Sequence, residues 1–182
     1  MPSDAVDRIV QAWAQRDPAL DVSPLEVVGR LLLSADHLER MLVAALQPFG
    51  LSFGDFDVIN TLRRRADKQG ANPSELARSS LITTGAMTAR LGRLQRAGLV
   101  TRTPDPADGR GVLIGLTDRG QTLAEQALHA VLAADRAFLE PLNDTQRDSV
   151  AAALKLLLLN AGIPTDASAT RSRPQTNSDQ NG

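Results

Sequence analysis

Residues 83–110 read TTGAMTARLGRLQRAGLVTRTPDPADGR, and VLIGLTDRG follows at 112–120. A helix is expected from near Gly85, with Met87, Leu91 and Leu94 recurring at helical spacing until Ala97, where Gly98 stops it. Just upstream, Asn72 and Pro73 open a shorter helix through Glu75, Leu76 and Ala77. Two short helices joined by a tight connection form a helix-turn-helix. Downstream, Leu99 to Thr103 and Val112 to Leu116 are β-rich runs, and the stretch from Pro104 to Gly111 between them is a polar tip. A hairpin directly after a helix-turn-helix is the layout of a winged helix.

The flanks are helical. Val6, Ile9, Val10 and Trp13 line one side of a helix from Asp4 to Arg16. Ser23, Pro24 and Glu26 read as an N-cap, a first-turn proline and an early acid, opening a long helix with Val28, Leu31, Leu32, Ala35, Leu38, Leu42, Ala45 and Leu46. Ser52 and Asp55 resemble a capping box for a third helix that buries Phe56, Ile59 and Leu62 and runs to about Ala66. Thr117 caps another, with Leu123, Ala127, Val131, Ala134 and Phe138 on one face, and Thr145 opens a last one through Val150, Leu154, Leu157 and Leu158. From Pro164 the chain is too polar to offset the entropy of ordering.

The expected fold class is therefore mainly α with a small β-hairpin wing, a winged helix-turn-helix flanked by long dimerisation helices. Residues 4–50 are expected to form N-terminal dimerisation helices, 51–117 the DNA-binding lobe, 118–160 the C-terminal dimerisation helices and 164–182 a disordered tail. A winged helix needs far fewer residues, so the surplus apolar stripes need partners. Packing the N-terminal helices against the 118–160 helices of a second copy supplies them and creates a two-fold dimer. An intrachain helical bundle is the alternative.

With 182 residues, 42% hydrophobic and 23% charged, the chain can bury a core of ordinary size. The absence of cysteine excludes disulfides, thiolate nucleophiles and cysteine-ligated zinc. Neither a membrane span nor a secretory signal is visible, and a cytoplasmic location is expected. The net charge of −1 conceals a segregation. Residues 62–110 hold ten Lys and Arg against four acids, leaving the remainder seven charges negative. Such a basic module attracts phosphate backbones, although a solvated helix face has the same composition.

Within the recognition candidate, Thr83, Thr84 and Thr88 offer hydroxyls to phosphate or base edges, and Arg90 or Arg93 a fork suited to guanine. Arg110 at the wing tip suits a narrow, electronegative minor groove, unless it pairs with Asp105 or Asp108. The partner so implied is double-stranded DNA with a palindromic operator. Enzyme chemistry has little support. Only His37 and His129 could act as imidazole acid, base or ligand, neither lies in a site pattern, and there is no P-loop or dinucleotide turn. No catalytic residue, metal or cofactor is expected.

These motifs, LSFGDFDVINTLRR, PSELA, TTGAMTARLGRLQRAGLVTRTPDPADGR and VLIGLTDRG, resemble the MarR-type winged-helix transcriptional regulators over roughly residues 4–160. The resemblance implies a homodimer, usually a repressor, whose DNA affinity falls when a small ligand binds between the dimer helices and the DNA-binding lobe. The family's wing usually reads Asp-Arg-Arg; here it is Asp108-Gly109-Arg110, which keeps the Asp-x-Arg pattern with one arginine fewer. A narrower resemblance is to the urate-responsive branch, which adds an N-terminal helix bearing a tryptophan. Trp13, Asp57, Arg64 and Arg90 match its ligand and coupling positions. The resemblance implies that Trp13 and Arg64 hold an anionic heterocycle or related aromatic or carboxylate effector, and that Asp57, disturbed by its charge, transmits movement to the helix bearing Arg90. A constitutive winged-helix DNA binder or interaction module, without a working pocket, is the alternative.

Overall fold

The computed structural model describes residues 2–65, 70–79, 87–106 and 111–161. In chain order these form α1 (Ala5–Arg16), α2 (Pro24–Leu46), a short 3-10 turn (Gln47–Phe49), α3 (Phe53–Arg64), α4 (Pro73–Ser79), α5 (Met87–Arg96), β1 (Val100–Pro104), β2 (Val112–Leu116), α6 (Asp118–Leu139) and α7 (Asp144–Asn160). The expected class holds: mostly helix, with one antiparallel hairpin registered from Val100 opposite Leu116 to Pro104 opposite Val112. The expected tail at 164–182 lies outside the described residues. Among those residues, no single helix is long and apolar enough to cross a membrane.

α1 starts with a full capping box between Asp4 and Asp7. The same two carboxylates receive Arg30 of α2, whose Nε donates to Asp4 at 2.8 Å and Nη2 to Asp7 at 2.5 Å. Beneath them, buried Val6 packs on Gly29, where an added Cβ would stand 3.1 and 3.2 Å from the valine methyls. The α1–α2 seam is thus a valine set into a glycine gap and fastened by one arginine.

Two caps differ from expectation. Ser23 does not cap α2: its backbone is already helical and its own N–H donates to Asp21 Oδ1 at 3.0 Å, so the preceding turn winds straight into the helix. Ser52 does cap α3, accepting from the Asp55 N–H at 3.1 Å, but Asp55 does not complete the box; its carboxylate accepts the Ser52 hydroxyl at 2.8 Å and reaches on to α5. α3 also ends at Arg64, before the expected Ala66, because Arg65 is already extended. α7 begins one residue early, capped by Asn143 and Gln146.

One core joins Leu42 and Leu46 of α2, Phe56, Val58, Ile59 and Leu62 of α3, Leu76 of α4, the inner face of α5, and Ile114 of β2. Ala124, Ala127 and Val131 of α6 belong to it too. That stripe of α6 is therefore covered by α2 and α3 of its own chain, as the intrachain alternative has it, and is not reserved for a second copy. An element not foreseen is a bridge between Ala71 and Ile114, with hydrogen bonds of 3.0 and 2.9 Å, which adds a third strand fragment beside β2. Gly70 permits it: its φ is +93°, and a Cβ there would meet the Ile114 carbonyl oxygen at 2.6 Å.

The chain divides into two compact units, residues 1–140 and 141–182. The second contributes one described helix, α7, whose Val150, Leu154 and Leu156 to Leu159 are all exposed.

Candidate nucleic-acid interface and effector site

Met87, Leu91 and Leu94 turn α5 inward, as their spacing predicts. Thr88, Arg93 and Arg96 are left exposed on its outer side, with Arg90 half-buried at the edge. Thr83, Thr84 and Arg110, the other candidates for DNA contact, lie outside the described residues. The wing strands hold Val100 and Ile114 inward and leave Arg102 exposed.

The first turn of α3 meets α5 through two adjacent residues. Arg93 Nη2 donates to Asp55 Oδ1 at 2.8 Å; the aspartate side chain is 11% exposed and the arginine 49%. This bond uses one of the five guanidinium N–H donors. Beside it, Arg90 lies against Gly54. A Cβ at residue 54 would sit 2.5 Å from Arg90 Nε and 3.0 Å from both Cζ and Nη2, so the guanidinium fills the space a side chain would take. Arg90 Nη1 is buried without a hydrogen-bond partner among the described residues, an arrangement that costs on the order of 1–3 kcal/mol.

Gly54, Asp57, Thr61 and Arg64 share one side of α3 by helical spacing. Asp57 and Thr61 are buried. Arg64 emerges at the far end and donates from Nη2 to the carbonyl oxygen of Ser79, the last residue of α4, at 2.8 Å. This side of α3 therefore touches α5 at its start, through Arg90, and α4 at its end, through Arg64. Trp13 stands 43% exposed on α1, whose packing partner is α2. Of the four effector candidates, Arg90, Asp57 and Arg64 are aligned along α3, while Trp13 belongs to the α1–α2 layer.

Part of the basic window serves the fold. Arg63 pairs with Glu125 of α6 at 3.6 Å and Arg65 with Glu75 of α4 at 3.0 Å, so the Arg63 to Arg65 run ties α3 to its neighbours. Sequence reasoning missed Gly54 and the link from Asp55 to α5. Asp55 was legible only as a cap, since its partner is 38 residues away. His37 is exposed, its ring 6.1 Å from Phe138 between centroids. Among the described residues no cluster of His, Cys, Asp or Glu could hold a metal ion.

Known proteins resemble this chain in sequence and fold. A family model described as MarR family matches residues 49–111. The HTH-type transcriptional regulator PecS of Dickeya dadantii is 34% identical over 149 residues, covering 82% of this chain and 90% of the relative. The crystal structure of a mutant MarR from Escherichia coli complexed with operator DNA aligns at a TM-score of 0.64 and 26% identity, covering 86% of this chain and 99% of that one. The Mycobacterium tuberculosis MarR family protein Rv2887, crystallised with salicylic acid, aligns at a TM-score of 0.57 and 33% identity, covering 75% of this chain and 98% of that one. These relatives are regulators, not enzymes. The chain belongs to the MarR family of DNA-binding transcriptional regulators.

Proposed function

We propose that this chain is a homodimeric repressor that leaves a palindromic operator when a small anionic effector, urate or a related aromatic or carboxylate metabolite, engages Arg64. The observation that carries this reading is the hydrogen bond from Arg64 to the Ser79 carbonyl. An anion that takes the planar fork of Arg64 competes for donors that pin the end of α4, and α4 is the first helix of the helix-turn-helix. The buried Asp57, one side of the same helix, resists a second negative charge nearby, so bound anion and native packing oppose each other. Trp13 supplies a stacking plane once the effector and a neighbouring layer meet. The salicylic acid complex of Rv2887 is consistent with an anionic aromatic effector in this family.

Dimerisation accounts for apolar side chains that the single chain leaves in water: Val27, Val28, Leu31 and Leu32 on α2, and Val150, Leu154, Leu157 and Leu158 on α7. In a dimer, two α5 helices address successive major grooves about 34–36 Å apart, Thr83, Thr84, Thr88, Arg90 and Arg93 face the bases and phosphates, and Arg110 enters the minor groove.

Calorimetry with urate and with salicylate, beside sedimentation and an operator titration, tests the reading. Binding of either anion that is lost in Arg64→Ala, with release of DNA from a dimer, supports it. A dimer that binds DNA tightly and neither anion is the constitutive regulator.

A further inference from the structure

Two consecutive residues at the start of α3 each meet an arginine of α5: Gly54 provides the gap that the Arg90 guanidinium fills, and Asp55 holds Arg93. We propose that Gly54 and Asp55 are positioning residues for DNA recognition, the first turn of α3 being a platform that sets both arginines before DNA arrives. The proposal rests on the reading of α5 as the recognition helix. An arginine free in water loses rotamer freedom when it docks, and a side chain fixed beforehand loses less. Asp55 is suited to this task because it is itself fixed. Its Oδ2 accepts from the Ser52 hydroxyl and its N–H donates to Ser52 Oγ, so the carboxylate is anchored to the cap of α3 and does not follow the arginine. Among the described residues Arg93 makes one side-chain bond, from Nη2, and is half exposed, so its other donors can meet a phosphate or a guanine.

Gly54 acts by absence. A methyl group at 54 collides with the end of a flexible side chain, so the arginine gives way and the helix does not. Bulk electrostatics makes the opposite forecast for Asp55. Removing a negative charge beside the DNA-binding face strengthens attraction to any duplex. The sign of the effect therefore separates positioning from simple charge.

The test uses the full chain, a duplex selected from a random pool by the wild-type protein, and a scrambled duplex of equal length, titrated at one salt concentration. Arg90→Ala and Arg93→Ala are each expected to weaken the selected complex about tenfold. Loss in neither overturns the recognition-helix reading and the platform with it. Given those losses, Asp55→Asn should weaken the selected complex about fivefold, leave the scrambled complex unchanged or tighter, and add nothing in the Arg93→Ala background. Gly54→Ala should do the same against Arg90→Ala, with a melting temperature close to wild type. Tighter binding of Asp55→Asn to both duplexes overturns the platform while the recognition-helix reading stands. So does a loss that persists when the partner arginine is absent, or a Gly54→Ala protein that binds like wild type.

Discussion

The guanidinium of Arg64 and the carbonyl of Ser79 close a 2.8 Å hydrogen bond between the last residue of α3 and the last residue of α4. A cation at a helix C-terminus meets carbonyls that lack intrahelical partners, so the bond is favourable electrostatically as well as geometrically. It is also exposed, and replaceable by another acceptor.

Arg64→Ala should therefore cost only about 1 kcal/mol of stability. Its DNA affinity without effector should stay within about threefold of wild type, while the effector no longer weakens the complex. Arg64→Lys keeps the charge and loses the fork, so it should retain stability but bind anions weakly. Calorimetry and denaturant unfolding on the two variants check both points.

The wing is expected to make a separable contribution. Arg110→Ala is expected to weaken the operator complex severalfold, lower the slope of log affinity against log salt by about one, and leave the melting temperature unchanged. Titrations from low to moderate salt measure it.

The seam between α1 and α2 can be opened by itself. Val6→Ala empties the Gly29 gap at an expected cost of about 1–2 kcal/mol. Trp13 is the single tryptophan, so its emission reports α1 alone. A red shift and new proteolysis between residues 17 and 23 should appear while the helical signal of the rest persists. Acid should do likewise. The Asp7 N–H, and then Arg30, hold the Asp4 carboxyl below its ordinary value. Stability from a lowered carboxylate is complete above the ordinary value and is lost as pH falls through the lowered one, so α1 should loosen only in strong acid.

Asp135 on α6 behaves in the opposite sense. Burial raises its carboxyl above the ordinary value, with Arg136 partly offsetting this. A raised carboxyl favours the folded state when protonated, and that advantage disappears as pH rises through the raised value. Asp135→Asn should accordingly melt higher than wild type at neutral pH and lose this lead below the ordinary carboxylate range. Thermal melts across pH give the comparison.

Periodicity made the helices and the wing legible, because the apolar residues of α1, α2, α3, α5 and α6 repeat along single faces. Capping was legible where it is local, as at Ser52 and Thr117; the Asp4–Asp7 box was not read from the sequence. What escaped depends on residues distant in sequence. The Ala71–Ile114 bridge rests on a single residue outside the named strands, too short to show alternation. The destination of Asp55 lies on another helix, and the purpose of Gly54 is visible only once Arg90 occupies its missing side chain. The α6 stripe was ambiguous for a further reason: an alanine-rich face packs equally well on its own chain or on a copy. For the candidate effector residues, the spacing from Asp57 to Arg64 puts them on one side of α3, but it could not show that Ser79 holds Arg64.

The most direct measurement is fluorescence anisotropy of a labelled, selected palindromic duplex titrated with wild type and Arg64→Ala, each with and without saturating urate or salicylate. The expected result is an effector-dependent loss of at least about tenfold for wild type, a coupling of roughly 1.4 kcal/mol, and none for Arg64→Ala. Equal wild-type affinity in the presence and absence of both anions, or an undiminished response in Arg64→Ala, would contradict it.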